Sequence, residues 1–158
     1  MNDQASSRNL YVPAMGGLYD SLSGIALPLV RLAAGLIIVP HGCQKLFGWF
    51  GGGGIQGSAQ FFEQMVGLAP GAGWAVFVGG VEVIGGLLLA IGLFTRIAAA
   101  AIAIQMLYIV FFINWANGFF WTPKAGIEYP LLWGIVALAF FIMGGGRYSV
   151  DRSIGKEF

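Results

Sequence analysis

The sequence predicts an all-α membrane protein, a four-transmembrane-helix bundle with a short interfacial helix between spans 1 and 2. Three observations support this fold class. Hydrophobic residues make up 58% of the chain and charged residues only 9%, whereas soluble domains carry roughly 25% charged residues. Four mostly apolar stretches come close to the roughly 20 residues that a helix needs to cross a bilayer. These stretches lack the alternation over about 10 residues that marks the strands of membrane β-barrels.

The four apolar stretches divide the chain into a transmembrane domain and two tails. The predicted spans cover residues 21–45, 74–94, 97–115 and 127–144. The transmembrane domain is therefore predicted at 21–147, between an N-terminal tail (1–20) and a C-terminal tail (148–158). A lipid bilayer is the first partner that this organisation implies.

The two longer connections also carry patterns. In SAQFFEQMVGL (58–68), Phe61, Phe62, Met65 and Leu68 recur at helical spacing, which predicts a short helix on the membrane surface or over the bundle. The segment NWANGFFWTPKAG (114–126) is rich in aromatic residues, as is typical of residues at a membrane interface. A lid over a site at this end of the bundle is the alternative interpretation of both segments.

The distribution of basic residues predicts the orientation. Four spans place both termini on one side, which carries Arg8, Arg96, Arg147, Arg152 and Lys156. The opposite side carries only Lys45 and Lys124. Because Lys and Arg accumulate on the cytoplasmic side, both termini are predicted to lie in the cytoplasm and the protein in a bacterial inner membrane.

The composition also limits the chemistry. A net charge of +1 gives no support for nucleic-acid binding. One cysteine, Cys43, cannot form an intrachain disulfide or a CxxC motif, and it is interpreted as a packing residue, with a redox role as the lesser alternative. One histidine cannot supply both axial ligands of a b-type haem. No metal site and no covalently bound cofactor are predicted, so a redox role would use a quinone or the cofactor of a partner protein.

Three polar residues are predicted to share a layer near the membrane midplane. Ionisable side chains at this depth are costly and are functional candidates by default. Counted from the cytoplasmic end at 1.5 Å per residue, Arg31, Glu82 and Gln105 lie about 14, 18 and 14 Å deep. We expect Arg31 and Glu82 to pair, and Tyr108 follows Gln105 on the same helix face. Three interpretations stay open: an ion pair that specifies assembly, a proton or quinone-headgroup site, or a contact with a partner subunit.

A second polar layer is predicted near the outer interface. His41, Asn114 and Glu128 lie about 29, 27 and 27 Å deep, with Gln44 and Lys45 close by. Pro40 loosens the helix, so that His41 and Lys45 can turn inward towards Glu128 as the counter-charge. Such a cluster could bind an anion, protonate a substrate or hold a quinone carbonyl. The alternative is a lysine that reaches the interface beside an interfacial histidine.

Small residues mark where two helices meet. Ala75, Gly79, Glu82, Gly86 and Ala90 share one face of the second span. Small residues let membrane helices approach closely, so Gly79 and Gly86 are predicted to form a helix-packing seam around Glu82.

The order of several motifs resembles the DoxX family of small four-helix bacterial and archaeal membrane proteins. These motifs are RLAAGLIIVPHGCQKLFGWFGG, GGVEVIGGLLLAIGLFTRIAA, NGFF followed by EYPLLW, and GGRYSVDR. The resemblance covers roughly residues 25–153. The positions that carry it are Arg31, His41, Gln44, Lys45, Glu82, Thr95, Arg96, Asn117, Glu128, Tyr129, Arg147, Tyr148 and Asp151.

The resemblance implies a function in membrane redox chemistry. Related proteins are membrane subunits of a thiosulfate:quinone oxidoreductase, and other members are associated with thiol and oxidative-stress defence. We therefore expect a membrane subunit of a quinone-linked oxidoreductase. The alternative is a non-catalytic scaffold or accessory subunit, bound to a redox partner protein or to a second copy. A small permease or proton pathway is the least favoured hypothesis, because four helices are few and no inverted repeat is visible.

Overall fold

A computed structural model describes residues 10–157 of the chain. It confirms the predicted fold class, since this part of the chain is helical and contains no strand. Residues 1–9, which hold Arg8 and nearly half of the predicted N-terminal tail, and residue 158 lie outside the described residues. The described helices are α1 (Gly16–Phe47), α2 (Gly54–Phe61), α3 (Gly71–Gly80), α4 (Gly86–Ile91), α5 (Thr95–Tyr108), α6 (Glu128–Met143) and α7 (Val150–Ser153).

Segments of π-helix extend or join several of these helices. The segment Phe62–Val66 continues α2, and Val81–Gly85 joins α3 and α4 into one rod. The segment Ile109–Asn114 continues α5. A π-helical turn holds an extra residue and turns the side chains that follow it, and such turns are frequent at functional sites.

The architecture is that of a multi-pass membrane protein. Within the described residues, Pro13–Phe47, Gly71–Ile91 and Thr95–Asn117 are long and apolar enough to cross a membrane. The fourth helix, α6, has 16 residues and rises about 24 Å. It packs along α5 and therefore lies at the same depth. The α2 helix occupies the connection in which a short helix is predicted, and it packs against α1 and α3.

Glycines set the distance between α1 and the rod Gly71–Ile91. A Cβ atom added to Gly86 would lie 2.7 Å from the carbonyl oxygen of Gly35 and 2.7 Å from Ile38 Cγ2. One added to Gly79 would lie 2.7 Å from Leu46 Cγ. Real Cβ atoms do not come this close to their neighbours, so the two helices meet through backbone that leaves no room for a methyl group.

We expect Gly86→Ala to destabilise the bundle by about 2 kcal/mol, because the new methyl group must push α1 away. Gly80→Ala in the same rod is the matched control, since a Cβ at Gly80 meets nothing within 4 Å among the described residues. That control should be neutral or slightly stabilising, because alanine favours helix more than glycine does. Unfolding in mixed micelles measures the free energy of unfolding of both variants. An equal decrease for Gly86→Ala and Gly80→Ala would contradict the close packing at Gly86.

Candidate functional site

The most buried acid of the spans lies in a polar cluster that joins three helices. Glu82 belongs to the π-helical segment Val81–Gly85 and is only 2% exposed. Lys45 Nζ on α1 lies 3.0 Å from Glu82 Oε1 and 2.8 Å from Oε2. Gln105 Nε2 on α5 donates to Oε1 at 2.7 Å. The carboxylate is therefore held by one cation and one amide, each from a different helix.

The lysine of this cluster also contacts the turn that carries the only histidine of the chain. The α1 helix continues through Pro40 to Phe47, so His41 and Lys45 are one turn apart. Lys45 Nζ donates to the carbonyl oxygen of His41 at 3.3 Å. The ion pair with Glu82 thereby fixes the helical turn from which the imidazole projects.

The imidazole contacts a tyrosine of the fourth helix. His41 Nε2 lies 3.0 Å from the hydroxyl oxygen of Tyr129, at the start of α6. The Tyr129 ring packs against Trp121 and Trp133, with ring centroids 5.2 and 6.0 Å apart. Depth and charge do not select these three aromatic residues from the sequence, although the family resemblance includes Tyr129. The sequence pattern that could have indicated them is the spacing of Tyr129 and Trp133, which lie one helical turn apart and so share one face of α6.

Two polar atoms next to this cluster lack a hydrogen-bond partner. They are Gln105 Oε1 and Trp133 Nε1, which are both buried and unpaired within residues 10–157. Buried polar atoms are nearly always paired with protein or with an ordered water. Gln105 Oε1 can therefore accept, and Trp133 Nε1 can donate, one further hydrogen bond.

An open groove of about 430 Å³ runs beside Tyr129. It is lined by Phe119, Trp121, Glu128, Tyr129, Leu131, Leu132 and Ile135. Leu132 and Ile135 are 59% and 55% exposed, so one wall faces the lipid side of α6. Tyr129 belongs to both the groove and the His41 contact, and it therefore connects a lipid-facing apolar groove with the buried polar cluster. Among the described residues, no group of three His, Cys, Asp or Glu residues is placed to bind a metal ion.

The predicted pairing of Arg31 with Glu82 is wrong. The Arg31 side chain, 3% exposed, donates from Nε to the carbonyl of Ala90 at 3.4 Å and from Nη2 to that of Tyr148 at 2.8 Å. Its Nη1 donates to the carbonyl of Gly145. Arg31 therefore lies beside the end of α4, about two helical turns from the level of Glu82. Counting depth from residue 21 placed it too deep.

Arg31 belongs instead to a second polar network at the end of the bundle that carries both termini. Asp151 of α7, 1% exposed, accepts hydrogen bonds from the backbone N–H groups of Phe94 and Thr95 at 2.8 and 2.9 Å. It also accepts one from Thr95 Oγ1 at 2.6 Å. Asp151 thus caps the start of α5, and Arg31 holds the chain between α6 and α7 against α4.

The prediction that Glu128 is the counter-charge of His41 and Lys45 in the outer cluster is also wrong. Lys45 pairs with Glu82, whereas Glu128 Oε2 accepts from the backbone N–H of Trp121 at 3.1 Å. Asn114 Nδ2 donates to the carbonyl of Gly126 at 3.4 Å. Both side chains therefore hold the connection between α5 and α6.

The remaining two candidates lie away from the cluster. Gln44 Nε2 donates to the carbonyl of Phe50 at 3.3 Å in the turn after α1. The Tyr108 ring stacks on Phe112 at 4.9 Å and is 36% exposed. Of the predicted candidate residues, the structure therefore brings together His41, Lys45, Glu82 and Gln105.

Comparison with known proteins places this site in a family. The model of the DoxX family matches residues 26–115, more than half of the chain. The chain belongs to the DoxX family. The matched part of this DoxX protein contains His41, Lys45, Glu82 and Gln105, whereas Tyr129 and the groove lie beyond it. An uncharacterized protein of Haemophilus influenzae is 31% identical over 110 residues, which cover 65% of this chain and 82% of that relative. No solved structure matches the chain.

Proposed function

We propose that this DoxX-family protein is a membrane subunit of a quinone-linked oxidoreductase in a bacterial inner membrane. The quinone headgroup would bind in the groove beside Tyr129. One observation carries the proposal: Tyr129 lines the lipid-facing groove and contacts His41 with its hydroxyl group. A thiol or thiosulfate as the source of electrons rests on the family resemblance alone.

The residues of the groove fit the chemistry of a quinone. Ligand sites are mostly apolar and contain a few converging polar groups. Phe119, Trp121 and Leu132 supply aromatic and apolar surface for a ring and an isoprenoid tail. The Tyr129 hydroxyl is a donor of the kind that a quinone carbonyl oxygen accepts.

The chain can supply protons but needs a partner for electrons. A quinone becomes a quinol by taking up two electrons and two protons. With one cysteine and one histidine, the chain has neither a dithiol nor a haem pair, so the electrons come from a carrier on a partner protein. His41 Nε2 lies 3.0 Å from the Tyr129 hydroxyl oxygen, so a proton can pass between the two groups, and the Lys45–Glu82 ion pair holds the turn that positions His41.

We expect Tyr129→Phe to weaken the binding of a short-chain ubiquinone analogue by about tenfold, which corresponds to the loss of one good hydrogen bond. The variant keeps the ring that lines the groove and removes the hydroxyl. Binding can be measured in nanodiscs through the quenching of tryptophan fluorescence, since Trp121 lines the same groove.

Tyr108→Phe is the matched control for this experiment. The Tyr108 ring stacks on Phe112 at the outside of the bundle, so loss of its hydroxyl should leave binding unchanged. Equal weakening by both variants, or no saturable binding by the wild-type protein, would contradict the proposed site. Melting temperatures of both variants separate a change in binding from a change in stability.

A scaffold or accessory subunit is the second candidate. It is supported by the apolar, exposed outer face of the first half of α1, where Leu18, Leu22 and Ile25 are 46–48% exposed. The quinone titration separates the two candidates, because a scaffold alone would bind no quinone.

A further inference from the structure

One face of α6 changes from polar to apolar along the groove beside Tyr129. Glu128, Leu132 and Ile135 are four and three residues apart and therefore share this face. All three line the groove. Glu128 is the first residue of α6, and Ile135 lies about 10 Å further along the helix axis. The groove thus has a polar end, next to the connection before α6, and an apolar end nearer the middle of the membrane.

The apolar end of the groove opens towards the lipid and away from the bundle. Leu132 and Ile135 are 59% and 55% exposed, whereas the bundle-facing Ala137 and Phe140 of the same helix are 1% exposed. A molecule can therefore enter the groove sideways from the bilayer. An amphiphile in this position keeps its tail in the hydrocarbon core and directs it from the start of α6 towards the membrane interior.

The polar end of the groove lies among aromatic side chains typical of a membrane interface. Trp121 and Tyr129 line it, with ring centroids 5.2 Å apart. Phe120, in the same connection, is 72% exposed. Trp and Tyr rings concentrate at the level of the lipid headgroups. The head of an amphiphile bound in the groove therefore lies at this level, next to the Tyr129 hydroxyl group.

The polar end carries a negative charge. Of the described residues that line the groove, Glu128 alone is charged. Its Oε2 atom accepts a hydrogen bond from the backbone N–H of Trp121 at 3.1 Å, which holds the carboxylate beside the groove. Within residues 10–157 no lysine or arginine forms an ion pair with Glu128. The head of a bound molecule therefore meets a carboxylate that no ion pair neutralises.

This carboxylate distinguishes between the amphiphiles that a membrane contains. The phosphate of an anionic lipid is repelled by a carboxylate at the same end of the groove, and the repulsion is stronger near protein than in bulk water. A quinone head has no charge and is not repelled. A binding site gains specificity when it places an unfavourable charge against the wrong ligand.

We propose that Glu128 determines the specificity of the groove, because its carboxylate excludes anionic phospholipids and admits a quinone. The quinone head lies beside Trp121 and Tyr129, and the isoprenoid tail runs along Leu132 and Ile135 towards the membrane interior. This inference rests on the proposed function and adds the orientation of the quinone. It also explains why the surrounding anionic lipids do not occupy a groove that is open to them.

Binding of a short-chain ubiquinone analogue in nanodiscs of two compositions tests the role of Glu128. One composition is phosphatidylcholine, and the other is an equal mixture with the anionic phosphatidylglycerol. The wild-type protein should bind the analogue with the same affinity, within twofold, in both. Glu128→Lys should bind it at least fivefold more weakly in the anionic discs than in phosphatidylcholine, because the anionic lipid then competes for the groove. The ratio of the two affinities cancels any effect of the substitution that is common to both discs.

Glu63→Lys is the matched control. Glu63 is an exposed acid in the connection between α1 and α3, at the same end of the bundle. It also accepts one backbone hydrogen bond, from the N–H of Gly71 at 2.7 Å, and it does not line the groove. Its two affinities should agree within twofold. Equal sensitivity of both lysine variants to anionic lipid, or a Glu128→Lys protein that binds equally in both discs, would overturn the role of Glu128.

Photolabelling of the wild-type protein tests the orientation of the quinone. An analogue with an azide on the ring should modify residues 119–129, and one with a diazirine in the tail should modify residues 131–138. Peptide mass spectrometry locates both labels, and excess unmodified analogue should prevent them. Reversed positions, or labels on other helices, would overturn the orientation. These results count against this inference alone when the wild-type protein binds the analogue saturably, whereas the absence of saturable binding counts against the proposed function as well.

Discussion

Replacing Lys45 with methionine is expected to destabilise the bundle by about 3–5 kcal/mol, the usual result of breaking a buried ion pair. Lys45 Nζ lies within 3.0 Å of both Glu82 oxygens, and Glu82 is 2% exposed. Methionine fills a similar volume but leaves the carboxylate with Gln105 as its remaining partner among the described side chains. A carboxylate buried without its cation has lost the contact that offset its removal from water.

A double-mutant cycle separates the ion pair from the packing of the lysine side chain. Glu82→Gln keeps an oxygen for the Gln105 amide and removes the charge. In Lys45→Met/Glu82→Gln no buried charge is left unpaired, so this variant should be more stable than Lys45→Met alone, with a coupling of about 1–3 kcal/mol. Unfolding in mixed micelles of increasing denaturing detergent gives all four free energies.

Lys124→Met is the matched control, since it makes the same substitution at an exposed lysine in the connection before α6. Its effect should be below about 0.5 kcal/mol. Additive losses in the cycle, or a loss at Lys124 as large as that at Lys45, would mean that Lys45 and Glu82 do not act as a pair.

The fold class and part of this cluster are predictable from the sequence, because they depend on local properties of the chain. Apolar length and a low charge content predict helices across a bilayer. Gly79 and Gly86 share a face with Glu82 because residues three and four apart meet on a helix. Glu82 and Gln105 are predicted at similar depths, and the structure places them 2.7 Å apart.

The partners of the charged residues depend on where each helix begins and ends, and the sequence leaves those points open. The α1 helix begins at Gly16, well before the level of the end of α4, so Arg31 lies at one end of the bundle although it is in the middle of its own helix. The lysine side chain is long enough for Lys45 to reach a glutamate about a turn deeper than its own backbone. A depth count that uses backbone positions alone pairs Glu82 with Arg31 and leaves Lys45 at the surface.

The groove was unpredictable for a different reason. Its walls come from α6 and from the connection before it, where Gly126 lies against the carbonyl oxygens of residues 118–120. That connection has no periodic pattern, and its path depends on contacts such as that of Glu128 with the backbone of Trp121. Tyr129 carries no charge at neutral pH, so a search for ionisable residues in the membrane does not select it.

Replacing Arg31 with methionine should cost about 3–5 kcal/mol and should release the chain between α6 and α7. Methionine keeps apolar volume but leaves the carbonyls of Ala90, Gly145 and Tyr148 without their donor, and each buried unsatisfied group costs about 1–3 kcal/mol. Arg31→Lys should keep only part of the stability that Arg31→Met loses. The lysine ammonium group lacks the planar guanidinium group with which arginine reaches acceptors in several directions.

Limited proteolysis of the C-terminal segment after residue 144 measures the release, with Arg152→Ala as the control because Arg152 is exposed. Arg31→Met should be cleaved at least tenfold faster than wild type, and the control at the wild-type rate. Unchanged cleavage would show that Asp151, through its contacts with Phe94 and Thr95, holds this segment without Arg31.

Because this network lies at the opposite end of the bundle from Tyr129, the Arg31→Met protein, where it remains folded, should bind the quinone analogue as wild type does. Lys45→Met should weaken that binding, since it disturbs the turn that carries His41.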